Sequence, residues 1–456
     1  MKIAVFIHCF FPEHTYGTEV YTLSLVRNLR DRGHEPVVVT AKFYGEKPSG
    51  ALLTRTEFEG IPVFLIDKNH FPNRRIRDAH YHEEMRAVLR SVLEEVRPDL
   101  VHVTHLLNHT AVLLELLAEM NLPAVATFTD FFGVCYNSKL LAADGSLCQG
   151  PGPRAVNCIA CYLKDRNRLD IAGWRMRLNG TYPLSHVIAS GFDRAQSLGW
   201  LNEDYAGMVL DFRERQELLR RLHGVYRAAI APSLCIKERY ASLGFSAPIH
   251  HIPYGVDLPD IPKPARRDGA PVKFGFFGQI AEHKGTHILI EAFLRLPEGS
   301  AELHLFGSAE LNRYRKTVRN LASRGRIIFH GTVERGRMPQ TYSEMDFVVI
   351  PSIWYENCPF VLIESLAMRT PVIASDVAGI SEFVRHGENG FLFPRNDVNG
   401  LYKILRSILD APHRFSEMSA RCEYPRSSSQ MADEVIEVYR SVLGARSVSE
   451  KIPVVP

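Results

Sequence analysis

The chain lacks most features that mark a specialised class. Eight cysteines in 456 residues are too few for a disulfide scaffold, which excludes a small stapled fold. No apolar run reaches the ~18 residues that a bilayer span needs. Neither charge sign dominates: 54 Lys plus Arg stand against 51 Asp plus Glu, net +3. Bulk charge therefore makes no case for a nucleic-acid partner. Internal repeats and low-complexity tracts are missing. The first apolar stretch, Ile3–Ile7, soon meets Pro12, Glu13 and His14. With one basic residue ahead of it and no small-residue cleavage site, it reads as a buried strand rather than a signal peptide. The expected location is the cytoplasm, with reduced thiols. Peripheral contact with the inner membrane face is compatible with that.

What is present is ordinary for a folded protein. Hydrophobic residues make up 46% and charged residues 23%, values that argue against a largely disordered chain. The length, about three times a ~150-residue domain, predicts two or three domains. Short apolar strands alternate with helical stretches throughout. One series runs Ile3–Ile7, Pro36–Thr40, Val63–Ile66, Leu100–Val103, Ala124–Phe128, His186–Ala189 and Ala228–Ala231. A second runs Val272–Phe277, Glu302–Phe306, Arg326–His330, Phe347–Ile350, Val372–Ala374 and Phe391–Phe393. Continuous apolar strands between helices predict an α/β protein with parallel sheets covered on both faces. Two series predict two doubly wound, Rossmann-like domains, 1–258 and 272–425. Between them, 259–271 is a polar linker with Pro259, Pro262, Pro264 and Pro271. The segment 426–456 contains a final helix, about Ser429–Leu443, whose Met431, Val435, Val438 and Val442 recur at helical spacing.

The chemistry concentrates in the second series. After the apolar strand ending at Pro351-Ser352 comes Glu356-Asn-Cys-Pro-Phe-Val-Leu-Ile-Glu364. Pro359 suits the first position of a helix, with Asn357 or Cys358 as its cap. A helix N-terminus at the carboxyl end of a parallel strand is a site for anionic ligands. Backbone N–H groups from Asn357, Cys358, Phe360 and Val361, around Pro359, would face a diphosphate. Glu364 would accept from ribose hydroxyls, and Glu356 from a sugar hydroxyl. Two solvated carboxylates beside an ordinary helix start are the alternative. Gly278 allows close backbone approach before Gln279, and Lys284 supplies a compact charge suited to phosphate.

In the first series, Gly17 stands between strand and helix, where a phosphate or sugar can approach. Asp130 ends another strand, and His105 and His109 follow the neighbouring one. Cys135, Cys148, Cys158 and Cys161 lie in a Gly/Pro-rich insert, 135–162. They allow a structural zinc site, free thiols, or a redox pair or iron–sulfur cluster. Arg74, Arg75 and Arg77 form a basic segment, either a solvated cluster or a contact for lipid headgroups.

Glu356 to Glu364 resembles the Glu-x7-Glu motif of the retaining glycosyltransferases of family 4, which have the GT-B fold. Phe276–Gly285, Phe329-His-Gly331, Asp346–Ser352, Pro371–Ser375 and Ala378-Gly379 are similar to that family's frame in order and spacing. Ala231-Pro-Ser233 and Ile252–Asp257 resemble the end of its first domain. The resemblance implies a nucleoside-diphosphate sugar bound by the second domain and an acceptor glycan, lipid-linked molecule or small molecule bound by the first. It also implies transfer with retention, no catalytic metal, and a cleft between the domains. Glu356, Lys284 and Asp130 become the catalytic candidates. Gly17, Gly278, Gln279, Glu364 and 357–361 become the donor-binding ones. The chain departs from the family's pattern at Gln279, where an Arg is common, and at Thr129, where a His is common. Those departures keep open a glycosyltransferase-like binding protein with weak or no transfer; an epimerase on the same fold is a further rival.

Overall fold

The computed structural model describes residues 1–166, 169–171, 174–176, 182–264, 269–308, 318, 327–411 and 414–444. Part of the polar linker and the end of the C-terminal tail lie outside the described residues, as does Arg326.

The chain divides into two compact units. The first comprises Met1–Pro232, Ile236–Pro253 and the chain from Ser429. Its main sheet has eight strands: β1 Lys2–Phe6, β2 Glu35–Lys42, β3 Leu53–Phe58, β4 Ile61–Asp67, β5 Leu100–Val103, β6 Ala124–Thr127, β9 Tyr226–Ala231 and β10 Ile249–His251. A separate hairpin joins β7 Leu169–Ile171 to β8 Trp174–Met176. The order is β10-β9-β6-β5-β1-β2-β4-β3, parallel throughout except that β3 runs against β4. Strands β1, β5 and β6 are almost wholly buried. That is why they read as unbroken apolar runs rather than alternating ones. Strand β3 is mostly exposed and polar, so its sequence carries no apolar signal and was not expected.

The second unit holds Ser233–Cys235 and Tyr254–Ser428. Its strands are β11 Val272–Phe277, β12 Ala301–Phe306, β13 Ile327–Gly331, β14 Phe347–Ile350, β15 Val372–Asp376 and β16 Gly390–Pro394. They form one parallel sheet in the order β13-β12-β11-β14-β15-β16. Each sheet has a point where the order reverses, β1 beside β5 in the first and β11 beside β14 in the second. At such points the loops leaving adjacent strands diverge and open a crevice at their carboxyl ends.

His186–Ala189 is not a strand. It lies inside the helix Tyr182–Ser197, because Ala189 packs at helical spacing with partly buried Ile188 and Phe192 into an apolar cluster. That cluster also contains Ile159, Ala160 and Leu163 of the helix Val156–Arg166, with Met208, Val209 and Phe212 of the helix Glu203–His223. The cysteine-bearing insert is thus anchored to an apolar core that it shares with the two helices that follow.

The last helix, Ser428–Gly444, lies almost entirely in the first unit. Its Tyr439 is fully buried, and the phenol hydroxyl lies 2.6 Å from His102 Nδ1 on β5.

Candidate donor site at the carboxyl edge of the second sheet

Lys284 follows β11 and Glu356 follows β14, so strand pairing at the reversal point brings their loops together. Lys284 Nζ donates to Glu356 Oε1 at 2.7 Å. Two more donors reach the same oxygen: Ser352 Oγ at 2.5 Å and Trp354 Nε1 at 2.8 Å. Among the described residues none donates to Oε2. Glu356 is only 5% exposed, so convergent donors of this kind are what a buried carboxylate requires. The Lys284 ammonium also lies 4.9 Å from the centre of the Trp354 ring, where the ring face attracts a cation. Trp354 and Ser352 carry no separate sequence signal; they matter because their loop folds back onto Glu356.

Two glycines hold this arrangement. Gly285 has φ +70°, and a Cβ there would lie 1.8 Å from the Pro351 carbonyl oxygen. Gly379 has φ +86°, and a Cβ there would lie 1.8 Å from the carbonyl oxygen of Glu356 itself. The Glu356 N–H in turn donates to Ala378 O at 3.2 Å. The Lys284 loop is thereby pressed onto the end of β14, and the Glu356 loop onto Ala378-Gly379.

The helix begins one residue later than expected. It spans Phe360–Ala367 with Pro359 as N-cap at φ −64°, ψ 129°. Cys358 before it takes a left-handed φ of 47°, and that turn ends the loop. Burial pushes the Cys358 thiol up to about 12, so it stays protonated. As the first helical residues, Phe360 and Val361 have N–H groups with no carbonyl one turn back inside the helix. The Phe360 ring stacks on Tyr254 with centroids 5.0 Å apart. Asn357 Oδ1 accepts from Ser233 Oγ at 3.0 Å, also in the second unit. Gly278 has φ +132° with open space where a Cβ would stand, and Gln279 follows it at the edge of β11.

Glu364 corrects one expectation. It lies in the helix as foreseen, but its carboxylate is not free. Arg335 contacts both oxygens, with Nη1 at 3.1 Å from Oε2, and the Tyr342 hydroxyl donates to Oε2 at 3.0 Å. At 1% exposure an unpaired carboxylate would be costly, and Arg335 supplies the missing charge. Burial raises the Glu364 pKa, while Arg335 and Tyr342 oppose the rise. Arg335 precedes the helix Met338–Ser343, distant in sequence, so no local spacing points to it.

In the first unit, Asp130 pairs with His105 Nε2 at 2.9 Å and accepts from the Phe132 N–H at 2.7 Å. His109 is a core histidine and faces no opening. It is fully buried on the Ile7 carbonyl at 2.8 Å, and burial lowers its pKa to about 4. Gly17 opens the helix Gly17–Asp31. Arg75 is tied to Asp211, Arg74 to Glu84 at 3.2 Å, and Arg77 lies over the Tyr81 ring. All three arginines thus have partners within the unit.

Of the readings open for the four insert cysteines, a closed zinc cage is not formed. No three of them bring ligand atoms within 4.8 Å of one another. Cys135 donates to Asn137 Oδ1 at 2.9 Å, and Cys148 to Gly150 O at 3.4 Å. Cys158 and Cys161 sit one turn apart on the helix Val156–Arg166. The apolar core beneath this helix supplies the order that the zinc reading assigned to a metal. No described helix is long and apolar enough to cross a membrane.

Comparison with known proteins gives the family and the fold. Residues 259–425 match the family "Glycosyl transferases group 1", and residues 15–142 match "Glycosyltransferase Family 4". The two matches span well over half of the chain, which belongs to the family 4-like, group 1 glycosyltransferases of GT-B fold. A glycosyltransferase of Methanocaldococcus jannaschii is 30% identical over 171 residues, 36% of this chain and 44% of that protein. The phosphatidyl-myo-inositol mannosyltransferase of Mycolicibacterium smegmatis is 28% identical over 246 residues, 50% of this chain and 61% of that protein. The aligned stretches span about half the length of these curated relatives. Among solved structures, the sucrose-phosphate synthase of Thermosynechococcus elongatus aligns over 97% of this chain and 99% of its own, with TM-score 0.63 and 16% identity. Anabaena HepE in complex with UDP-glucose aligns over 97% and 100%, with TM-score 0.61 and 16% identity.

Proposed function

We propose that the chain is a retaining glycosyltransferase that moves a sugar from a nucleoside-diphosphate sugar to an acceptor hydroxyl. The observation that carries this reading is the convergence of Lys284, Ser352 and Trp354 on one oxygen of Glu356 at the reversal point of a parallel sheet. It leaves Oε2 to accept from a sugar hydroxyl. The solved complex of HepE with UDP-glucose and the names of the relatives lend support.

In this reading the diphosphate lies against Lys284 and the N–H groups of Phe360 and Val361. Lys284 neutralises charge as the nucleoside diphosphate leaves. The bond from the anomeric carbon to the acceptor oxygen forms on the face where the phosphate bond breaks. The departing phosphate oxygen takes the acceptor proton, so no protein nucleophile is required. The ribose hydroxyls approach Glu364 by displacing or sharing Arg335. The first unit receives the acceptor, a glycan, lipid-linked molecule or small molecule, with Asp130 on that side.

The test is incubation with a panel of nucleotide sugars, following product and anomeric configuration by NMR. Transfer, or slow donor hydrolysis, with retention is expected. Epimer formation, or binding with neither reaction, refutes the proposal.

A further inference from the structure

The first sheet has its own reversal point, between β1 and β5, and the donor-site reading leaves the residues there unused. His8 and Cys9 leave the end of β1, and Glu19 stands in the first turn of the helix Gly17–Asp31. Cys9 Sγ donates to Glu19 Oε1 at 2.9 Å, and His8 Nε2 lies 3.3 Å from the same oxygen. Ligand atoms of all three lie within 4.8 Å of one another. Among the described residues, they are the one group of three or more that meets this spacing.

Two observations set this cluster apart from ordinary packing. Glu19 is 1% exposed, yet among the described residues no lysine or arginine pairs with it. A buried carboxylate normally has such a partner or a metal. In addition, Glu19 Oε2 and His8 Nδ1 are buried and, among the described residues, have no hydrogen-bond partner.

We propose that His8, Cys9 and Glu19 form a binding site for a borderline-soft divalent cation of the zinc class. An imidazole, a thiolate and a carboxylate are the donor types zinc takes, and the sulfur disfavours magnesium and calcium. Tetrahedral ligands at about 2.0–2.3 Å stand roughly 3.3–3.8 Å apart, and the Cys9–Glu19 and His8–Glu19 separations of 2.9 and 3.3 Å lie within tenths of an ångström of that range. Binding replaces the Cys9 S–H proton, which leaves to solvent as the sulfur–metal bond forms. The cation supplies the positive charge that Glu19 lacks. Water fills the fourth position, reached past His8, whose side chain is 16% exposed. The site ties the first strand to the first helix and has no part in the transfer step.

Cobalt titration of the full-length, chelator-treated protein tests this, because a cobalt–thiolate bond gives a charge-transfer band. One equivalent with that band is expected, displaced by zinc. Cys9→Ser removes the band, and Glu19→Gln weakens binding by at least about tenfold. Cys148→Ser leaves both unchanged. Should Cys9→Ser fail to fold by circular dichroism, His8→Gln replaces it, with at least about tenfold weaker binding expected. No band in the native protein overturns the proposal. So does a band that survives Cys9→Ser or His8→Gln unchanged, or one lost in Cys148→Ser.

Discussion

Lys284 Nζ and Glu356 Oε1 form a 2.7 Å ion pair built from the loops that leave β11 and β14. The lysine side chain is 25% exposed and the glutamate 6%. The ammonium therefore already has a carboxylate partner that fixes its position before any diphosphate arrives. An ammonium has three donors, so Lys284 can keep Glu356 and still reach a phosphate oxygen. The pair holds the lysine's position as well as its charge.

The two members of the pair should respond differently to substitution. Lys284→Met keeps the apolar stem over Trp354 and removes the charge. A charged hydrogen bond is worth about 1.5–3 kcal/mol, so nucleoside-diphosphate affinity should fall by about ten- to a hundredfold. Glu356→Gln keeps the shape and should lower kcat more than it lowers nucleotide affinity. Calorimetry for binding and steady-state kinetics for transfer separate the two. Unchanged values for both variants would remove these residues from the site.

Gly379→Ala tests the loop rather than the carboxylate. Its Cβ would stand 1.8 Å from the Glu356 carbonyl oxygen, at φ +86°. Backbone strain of this kind costs about 1–3 kcal/mol, and the loop can relieve it only by moving. Transfer should drop by at least about tenfold, with a lower melting temperature. Full activity in the alanine variant would mean that the loop's position is irrelevant.

The C-terminal helix makes a separate prediction. Tyr439→Phe removes the hydroxyl next to His102 Nδ1 and leaves a buried ring nitrogen without that partner. Stability should fall by about 1–3 kcal/mol, read from urea unfolding. The adjacent pair Arg32 and Asp433, 2.7 Å apart, is exposed, and Asp433→Asn should change stability by less than about 1 kcal/mol.

Acid should destabilise the first unit before any surface carboxylate titrates. Burial lowers His80 and His102 to about 3, and His109 and His223 to about 4. The unfolded chain takes up these protons near 6.5, and the folded chain only below about 4. Below 6.5 the unfolded state therefore binds more protons, and stability falls as pH falls. The contribution is complete above 6.5. Each group adds up to about 1.4 kcal/mol per pH unit of slope. Urea midpoints at pH 7.5, 6 and 5 should decline, and His102→Gln should flatten the decline. A flat profile in the native protein contradicts the buried, neutral state of these histidines.

The sequence by itself determined the α/β class, the two strand series and the family. Buried parallel strands must be apolar on both faces, so Leu100–Val103 and Phe347–Ile350 announce themselves locally. A loop, a proline and a helix start at fixed spacing likewise mark Glu356 to Glu364. Chain segments distant from one another left no such trace. Arg335 reaches Glu364 across 29 positions, and Lys284 reaches Glu356 across 72. The polar strand β3 is visible only through its pairing with β4. By count and spacing the insert's cysteines allow a metal cage as well as free thiols, and only the fold shows that no three of them bring ligand atoms within 4.8 Å. His8, Cys9 and Glu19 carry no joint signal in the sequence, because a strand end and a helix start meet only when the sheet has formed. Local periodicity records burial and helix boundaries. Which charges neutralise one another is decided by strand order, and strand order exists only in the folded chain.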